Sequence, residues 1–128
     1  MPKATQFSIG LDNKRGMLAK LCATLKRAKV NIEAISVADN LDCCWVRLIP
    51  SSAPSAKNAL TQGHYNFSTQ KVLTVMVANK PGELERMAAK LAKAGVNINY
   101  IYASTGDGTS TMLVMSVSHL DAAIEAVG

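Results

Sequence analysis

A chain of 128 residues that is 48% hydrophobic and 18% charged holds enough apolar material for a core and too little charge for a disordered tail. Its apolar runs, such as VLTVMVA at 72–78, fall short of the roughly 20 residues of a membrane span, and MPKATQF at the start lacks an apolar signal core, so a cytoplasmic protein is expected. The net charge of +5 comes from the first half, with nine Lys/Arg against four Asp/Glu in 1–64 and five of each in 65–128; Lys26, Arg27 and Lys29 fit a helix C-terminal dipole better than a nucleic-acid patch, and no nucleic acid is expected.

The first predicted strand is FSIGL (7–11), with Phe7, Ile9 and Leu11 alternating with Ser8 and Gly10. Asn13, Lys14 and Gly16 follow, then a helix whose apolar positions Leu18, Leu21, Cys22, Leu25 and Ala28 recur at spacings of three and four. Val30-Asn31-Ile32 opens a second strand to about Val37, DNLD (39–42) makes a turn, and CWVRLI (44–49) is a third strand. Ser52 is placed to cap a second helix ending at Gly63, and YNFSTQ (65–70) is a fourth strand.

The same order then begins again. NKRGMLAKLCATLKRAKVNI (13–32) and NKPGELERMAAKLAKAGVNI (79–98) share ten of twenty letters, at an offset of 66. Leu73, Val75 and Val77 form the strand before the repeat, and Leu84, Met87, Ala88, Leu91 and Ala94 the apolar stripe after it. Pro81 suits a first helical turn, and Gly95 suits the left-handed residue after a helix; Lys29 holds that place in copy one and is expected to be strained. NINYIYA (97–103), a TGDG turn (105–108), TMLVMSV (111–117) and a helix capped by Ser118, with Asp121 in the capping box, complete copy two.

A repeat this long predicts two copies of one supersecondary unit, 1–70 and 71–128. Each reads βαββα, with a last β only in the first. The expected fold class is α+β: two ferredoxin-like βαββα(β) units, antiparallel sheets with both helices on one face, the second lacking its own C-terminal strand. The other sheet face is expected to be partly apolar, through Met76 and Leu113 or Met112, and to favour burial against another subunit.

Reactive chemistry finds little footing. Cys22, Cys43 and Cys44 are odd in number and include no C-x-x-C, so neither a disulfide framework nor a metal site is expected. STGDGTST (104–111) lacks the lysine of a phosphate loop, and one Trp does not make a base-stacking surface. His64 and His119 stand at element ends, Glu83 and Glu85 suit a helix start, and no catalytic set recurs in both copies. No enzyme and no cofactor is expected. What recurs is Asn, then Gly at a helix start, then Asn at a strand start. A helix N-terminus with its free N–H groups can hold a carboxylate, but turn and cap roles explain the same residues, and both readings stay open.

These letters resemble the ACT domain, a small-molecule-binding regulatory module, whose signature runs strand, N-[KR]-P-G-x-L, helix, A-G-V-N-I. Copy two reads NKPGEL…AGVNI; copy one reads NKRGML…AKVNI, with Arg15 for Pro and Lys29 for Gly. The resemblance implies paired modules, usually with sheets side by side, in a homodimer or larger assembly, with amino-acid sites at module interfaces. It singles out Asn13, Gly16, Met17, Leu18 and Asn31 in copy one, and Asn79, Gly82, Glu83, Leu84 and Asn97 in copy two. Serine-binding members carry a His two residues before the loop Asn; Leu11 and Val77 stand there, which favours a more apolar amino acid. The implied function is a non-catalytic amino-acid sensor read by an enzyme or transporter; the alternative is a ligand-free assembly module.

Overall fold

The computed structural model describes residues 2–40, 43–105 and 108–128, without the side chains of Asn40 and Thr105. The DNLD and TGDG turns therefore lie partly outside the described residues. The chain divides into two compact units: Thr5–Gln70, and residues 2–4 with Lys71–Gly128.

In the first unit the elements are β1 (Lys3–Asp12, from Thr5 onward), α1 (Met17–Arg27), β2 (Ile32–Asn40), β3 (Cys43–Pro50), α2 (Ala53–Gln62) and the start of β4 (Asn66–Ala78). The strands lie in the order β2-β3-β1-β4. β3 pairs antiparallel with β1, Phe7 opposite Leu48 and Ile9 opposite Val46, and with β2, Ile35 opposite Leu48. Opposed residues share a sheet face. That face carries Phe7, Ile9, Leu11, Val46 and Leu48, all buried with Leu21 and Leu25 of α1 and Ala56 and Leu60 of α2.

The second unit repeats this with β4 from Lys71, α3 (Glu83–Lys93), β5 (Ile98–Thr105), β6 (Ser110–Val117) and α4 (Leu120–Val127), the strands in the order β4-β6-β5. Its core is Leu73, Val77, Leu113 and Met115 from the sheet, Met87 and Leu91 from α3, and Ala123 from α4. Leu113 therefore lies beneath the helices rather than on the opposite face, where Met76 is exposed and Met112 half-buried. The missing edge strand is supplied from the far end of the chain: the Thr74 N–H donates to the Pro2 carbonyl at 3.1 Å.

Three local expectations change. Pro81 precedes the helix instead of opening it: α3 starts at Glu83, and Gly82 caps it at φ 89°, ψ −9°. Gly63 does end α2, as expected, with an ordinary φ of −81°, and His64 after it takes a left-handed φ of 60°. Ser118 does not cap α4, which has His119 at its N-cap; its hydroxyl accepts instead from the Asn97 N–H. Leu18 and Leu84 are exposed, because the inward line of α1 runs through Met17, Leu21 and Leu25. Ser52 does cap α2, accepting from the Ser55 N–H at 3.3 Å. The three cysteines form no disulfide and are half-buried.

Lys29 and Gly95 hold matching places after α1 and α3, with φ 60° and 76°. A side chain with a Cβ pays about 1–2 kcal/mol in this region, part of which glycine returns through its freer unfolded chain. Lys29→Gly is therefore expected to raise stability by about 0.5–1 kcal/mol in urea denaturation.

Candidate ligand site

The two strand-to-helix loops have one geometry. In the first, the Lys14 N–H donates to the Asp12 carbonyl and the Met17 N–H to Lys14; in the second, Lys80 donates to Ala78 and Glu83 to Lys80. Gly16 at φ 87°, ψ −8° and Gly82 at φ 89°, ψ −9° match the third residue of a type II turn, which needs positive φ. Proline suits the residue before it, so Pro81 belongs to this turn, and Arg15 fills the same place in copy one. A Cβ at either glycine would meet nothing within 4 Å, so backbone conformation, not crowding inside the chain, requires glycine there. Neither helix has a side-chain cap; the Met17 and Glu83 N–H groups close the turns, and the N–H groups that follow them in each first turn have no partner within the helix.

The asparagines tie these loops and strands together. Asn13 Nδ2 donates to Asp39 Oδ1 at 3.0 Å, joining the first loop to the end of β2. Asn79 instead reaches the residues just before β6, through its Nδ2 to the Gly108 carbonyl, 3.3 Å, and its N–H to the Thr109 carbonyl, 3.0 Å. At the opposite end of each unit, the Asn31 N–H donates to Ser51 Oγ and the Asn97 N–H to Ser118 Oγ, both at 2.9 Å. The Ser51 and Ser118 N–H groups return the bond to the Asn31 and Asn97 carbonyls. Each unit thus brings Asn13, Gly16, Met17 and Leu18, or Asn79, Gly82, Glu83 and Leu84, to one end, and leaves Asn31 or Asn97 at the other.

The two copies differ in charge. Glu83 Oε1 and Arg86 Nη2 of α3 lie 3.0 Å apart, with a second bond from Arg86 Nε to Oε2 at 3.2 Å. The hydrogen bond from Arg86 holds the Glu83 carboxyl below its usual range, helped by nearby Lys80. A lowered carboxyl stabilises the fold above its ordinary range and loses that contribution as acid protonates it; in water this pair contributes little. Met17 and Lys20 replace the two residues in copy one. At the other end, Asn97 Nδ2 donates to Asn99 Oδ1, 3.2 Å, and His119 Nδ1 shares a 2.9 Å bond with Ser118, where copy one has Glu33 and Ser52. The part played by His119 had no signature in the sequence, because its partner Ser118 reads as a cap.

Among the described residues, no group of three His, Cys, Asp or Glu side chains is placed to hold a metal ion. Nor is any helix of the described residues long and apolar enough to cross a membrane.

With this geometry in view, the chain belongs to the ACT domain pair family, whose pattern matches residues 3–127. Among solved structures, it is similar to protein BT0572 from Bacteroides thetaiotaomicron, at 30% identity and a TM-score of 0.91 over 98% of this chain and 86% of that one. The fold is also that of the ligand-free regulatory subunit of aspartate kinase from Thermus thermophilus, at 18% identity and TM-score 0.70 over 96% and 89% of the chains. It recurs in E. coli aspartokinase III in complex with lysine and aspartate, at 15% identity and TM-score 0.59, where 98% of this chain matches 29% of that one. No curated protein matches the chain.

Proposed function

We propose that the protein is a non-catalytic regulator that binds an amino acid between ACT modules of two chains and passes the bound state to an enzyme or transporter of amino-acid metabolism. Its modules are 1–70 and 71–128 by sequence, residues 2–4 pairing into the second. The observation that carries this reading is a recurrence. Leu18 and Leu84, first-turn residues of α1 and α3, are 41% and 51% exposed, and Ile35 and Ile101, on the edge strands β2 and β5, are 40% and 37% exposed. Four of the seven large exposed apolar residues among the described residues thus form two repeat-related pairs, one of them on edge strands that have a neighbour on one side only. Apolar residues along an open edge favour association of modules through those edges.

Such pairing also brings the two ends of a module together. When two edges meet antiparallel, the loop of one module faces the Asn31 or Asn97 end of another. The ligand carboxylate then meets the free N–H groups after Gly16 or Gly82, and its side chain meets Leu18 or Leu84. A lysine-and-aspartate complex is known for aspartokinase III. Here the leucines and the absence of a histidine at positions 11 and 77 favour an apolar amino acid over serine. Binding shifts the arrangement of subunits only as far as its affinity differs between arrangements.

A thermal-shift screen of the full chain against the twenty amino acids tests this. At least one apolar amino acid is expected to raise the melting temperature, and Asn31→Ala or Asn97→Ala to reduce the rise. A folded chain that responds to none leaves only the assembly role.

A further inference from the structure

The first unit contains a cleft of about 250 Å³ that none of the interfacial residues except Met17 touches. Its polar groups are Asp12 at the end of β1, Lys20 on α1, and His64 and Asn66 just after α2; Leu11 and Met17 supply apolar wall. Every one of these lies within Thr5–Gln70, so the cleft needs no second module and no second chain.

Three observations give the cleft a chemistry. First, it carries one carboxylate and one ammonium that do not neutralise each other. Among the described residues Arg86 and Glu83 form an ion pair, whereas Lys20 and Asp12 do not pair with each other. Second, copy two shows what would occupy Lys20. Its counterpart Arg86 is held by Glu83, three residues earlier; in copy one that earlier place is Met17, which offers Lys20 no charge, and both residues line the cleft. Asp12 is likewise particular to copy one, where copy two has Ala78. Third, the wall opposite α1 is fixed. Tyr65 also lines the cleft, and its hydroxyl shares a 3.3 Å hydrogen bond with Thr24 Oγ1 of α1. Gly63 makes room for its ring, since a Cβ there would lie 2.9 Å from Tyr65 Cε2.

We propose that this cleft is a small-molecule site internal to the first unit, taking a zwitterion: a free α-amino acid with its ammonium on Asp12, its carboxylate on Lys20, and a small apolar side chain against Leu11 and Met17. Its volume is below the roughly 300–1,000 Å³ of sites for drug-sized ligands, and fits a single amino acid. A zwitterion offers one group to each wall charge, and each charge-assisted bond adds to selectivity. The larger groove between α1 and α2, about 510 Å³, has Arg27 as the single charged residue of its lining and offers no such match. The site stands independently of the interfacial reading, although both take amino acids.

The test is amide chemical-shift mapping on the full chain with L-alanine, L-leucine and L-methionine, and with propionate and propylamine as molecules lacking one charge. At least one amino acid is expected to shift Asp12, Lys20 and His64, with propionate and propylamine far weaker. Asp12→Asn and Lys20→Met, both at exposed positions, are each expected to weaken that binding at least about tenfold, while Asn31→Ala and Asn97→Ala leave it unchanged. No shift at these residues from any of the three amino acids overturns the proposal. So does propionate shifting them as strongly, or Asp12→Asn and Lys20→Met binding like the parent. Binding lost in Asn31→Ala and Asn97→Ala but kept in Asp12→Asn and Lys20→Met removes the cleft and keeps the interfacial site; the reverse pattern removes the interfacial site and keeps the cleft.

Discussion

Leu91→Ala is expected to lower the unfolding free energy by about 2–5 kcal/mol, and Leu25→Ala by a similar amount. The two residues hold matching places in α3 and α1, and both are fully buried. Leu91 sits in the cluster of Leu73, Met87 and Met115, and Leu25 in that of Ile9, Val46 and Leu60. Truncation removes the transfer energy of the lost methyl groups and leaves a cavity that close-packed neighbours cannot fill. Each variant strikes the core of a different unit, so the pair also asks whether the repeat is a repeat in energy. Urea denaturation of the two variants measures it. A loss under about 1 kcal/mol in either would mean that the helix is not anchored by that residue.

Ile35→Asp combined with Ile101→Asp is expected to turn an assembled chain into a monomer in sedimentation experiments, with each unit still folded. Both residues are already more than a third exposed, so a carboxylate there stays solvated in the isolated chain. In an association through β2 or β5 the same carboxylate would be buried without a partner, which costs several kcal/mol. The interfacial ligand response is expected to vanish with the assembly, whereas the cleft beside Asp12 and Lys20 keeps its own. Unchanged sedimentation in the double variant would move the interface elsewhere on the molecule.

Much of this architecture could be read from the chain alone, for identifiable reasons. The alternation of Phe7, Ile9 and Leu11 and the spacing of Leu21 and Leu25 are direct imprints of strand and helix periods, and both sets are buried. Gly16 and Gly82 stand out because a type II turn demands positive φ, and glycine meets that demand. The chain could not announce the pairing of Pro2 with Thr74, which joins segments about seventy residues apart through backbone groups that any residue carries. Leu18 and Leu84 fit the spacing of three and four, but that spacing does not say which of two adjacent residues turns inward, and in α1 it is Met17. Ser118 and His119 misled for a related reason. A serine before a helix reads as a cap, while its hydroxyl is already taken by the Asn97 N–H, a bond repeated between Asn31 and Ser51.

The structure also changes what can serve as a probe of the loops. Gly82→Val would separate ligand binding from assembly only if glycine were there to admit a ligand. At φ 89° it is required by the turn itself, so that substitution disturbs the fold first. Asn97 and Asn31 are cleaner, because their backbone bonds to Ser118 and Ser51 survive truncation of the side chain.

Calorimetric titration of the full chain with each of the twenty amino acids tests the central claim most directly. The account predicts saturable heat from at least one apolar amino acid, lost in the Ile35→Asp, Ile101→Asp chain apart from any share due to the cleft. Heat from none of the twenty, or heat that survives in full in the monomeric variant after Asp12→Asn and Lys20→Met are added, would contradict it.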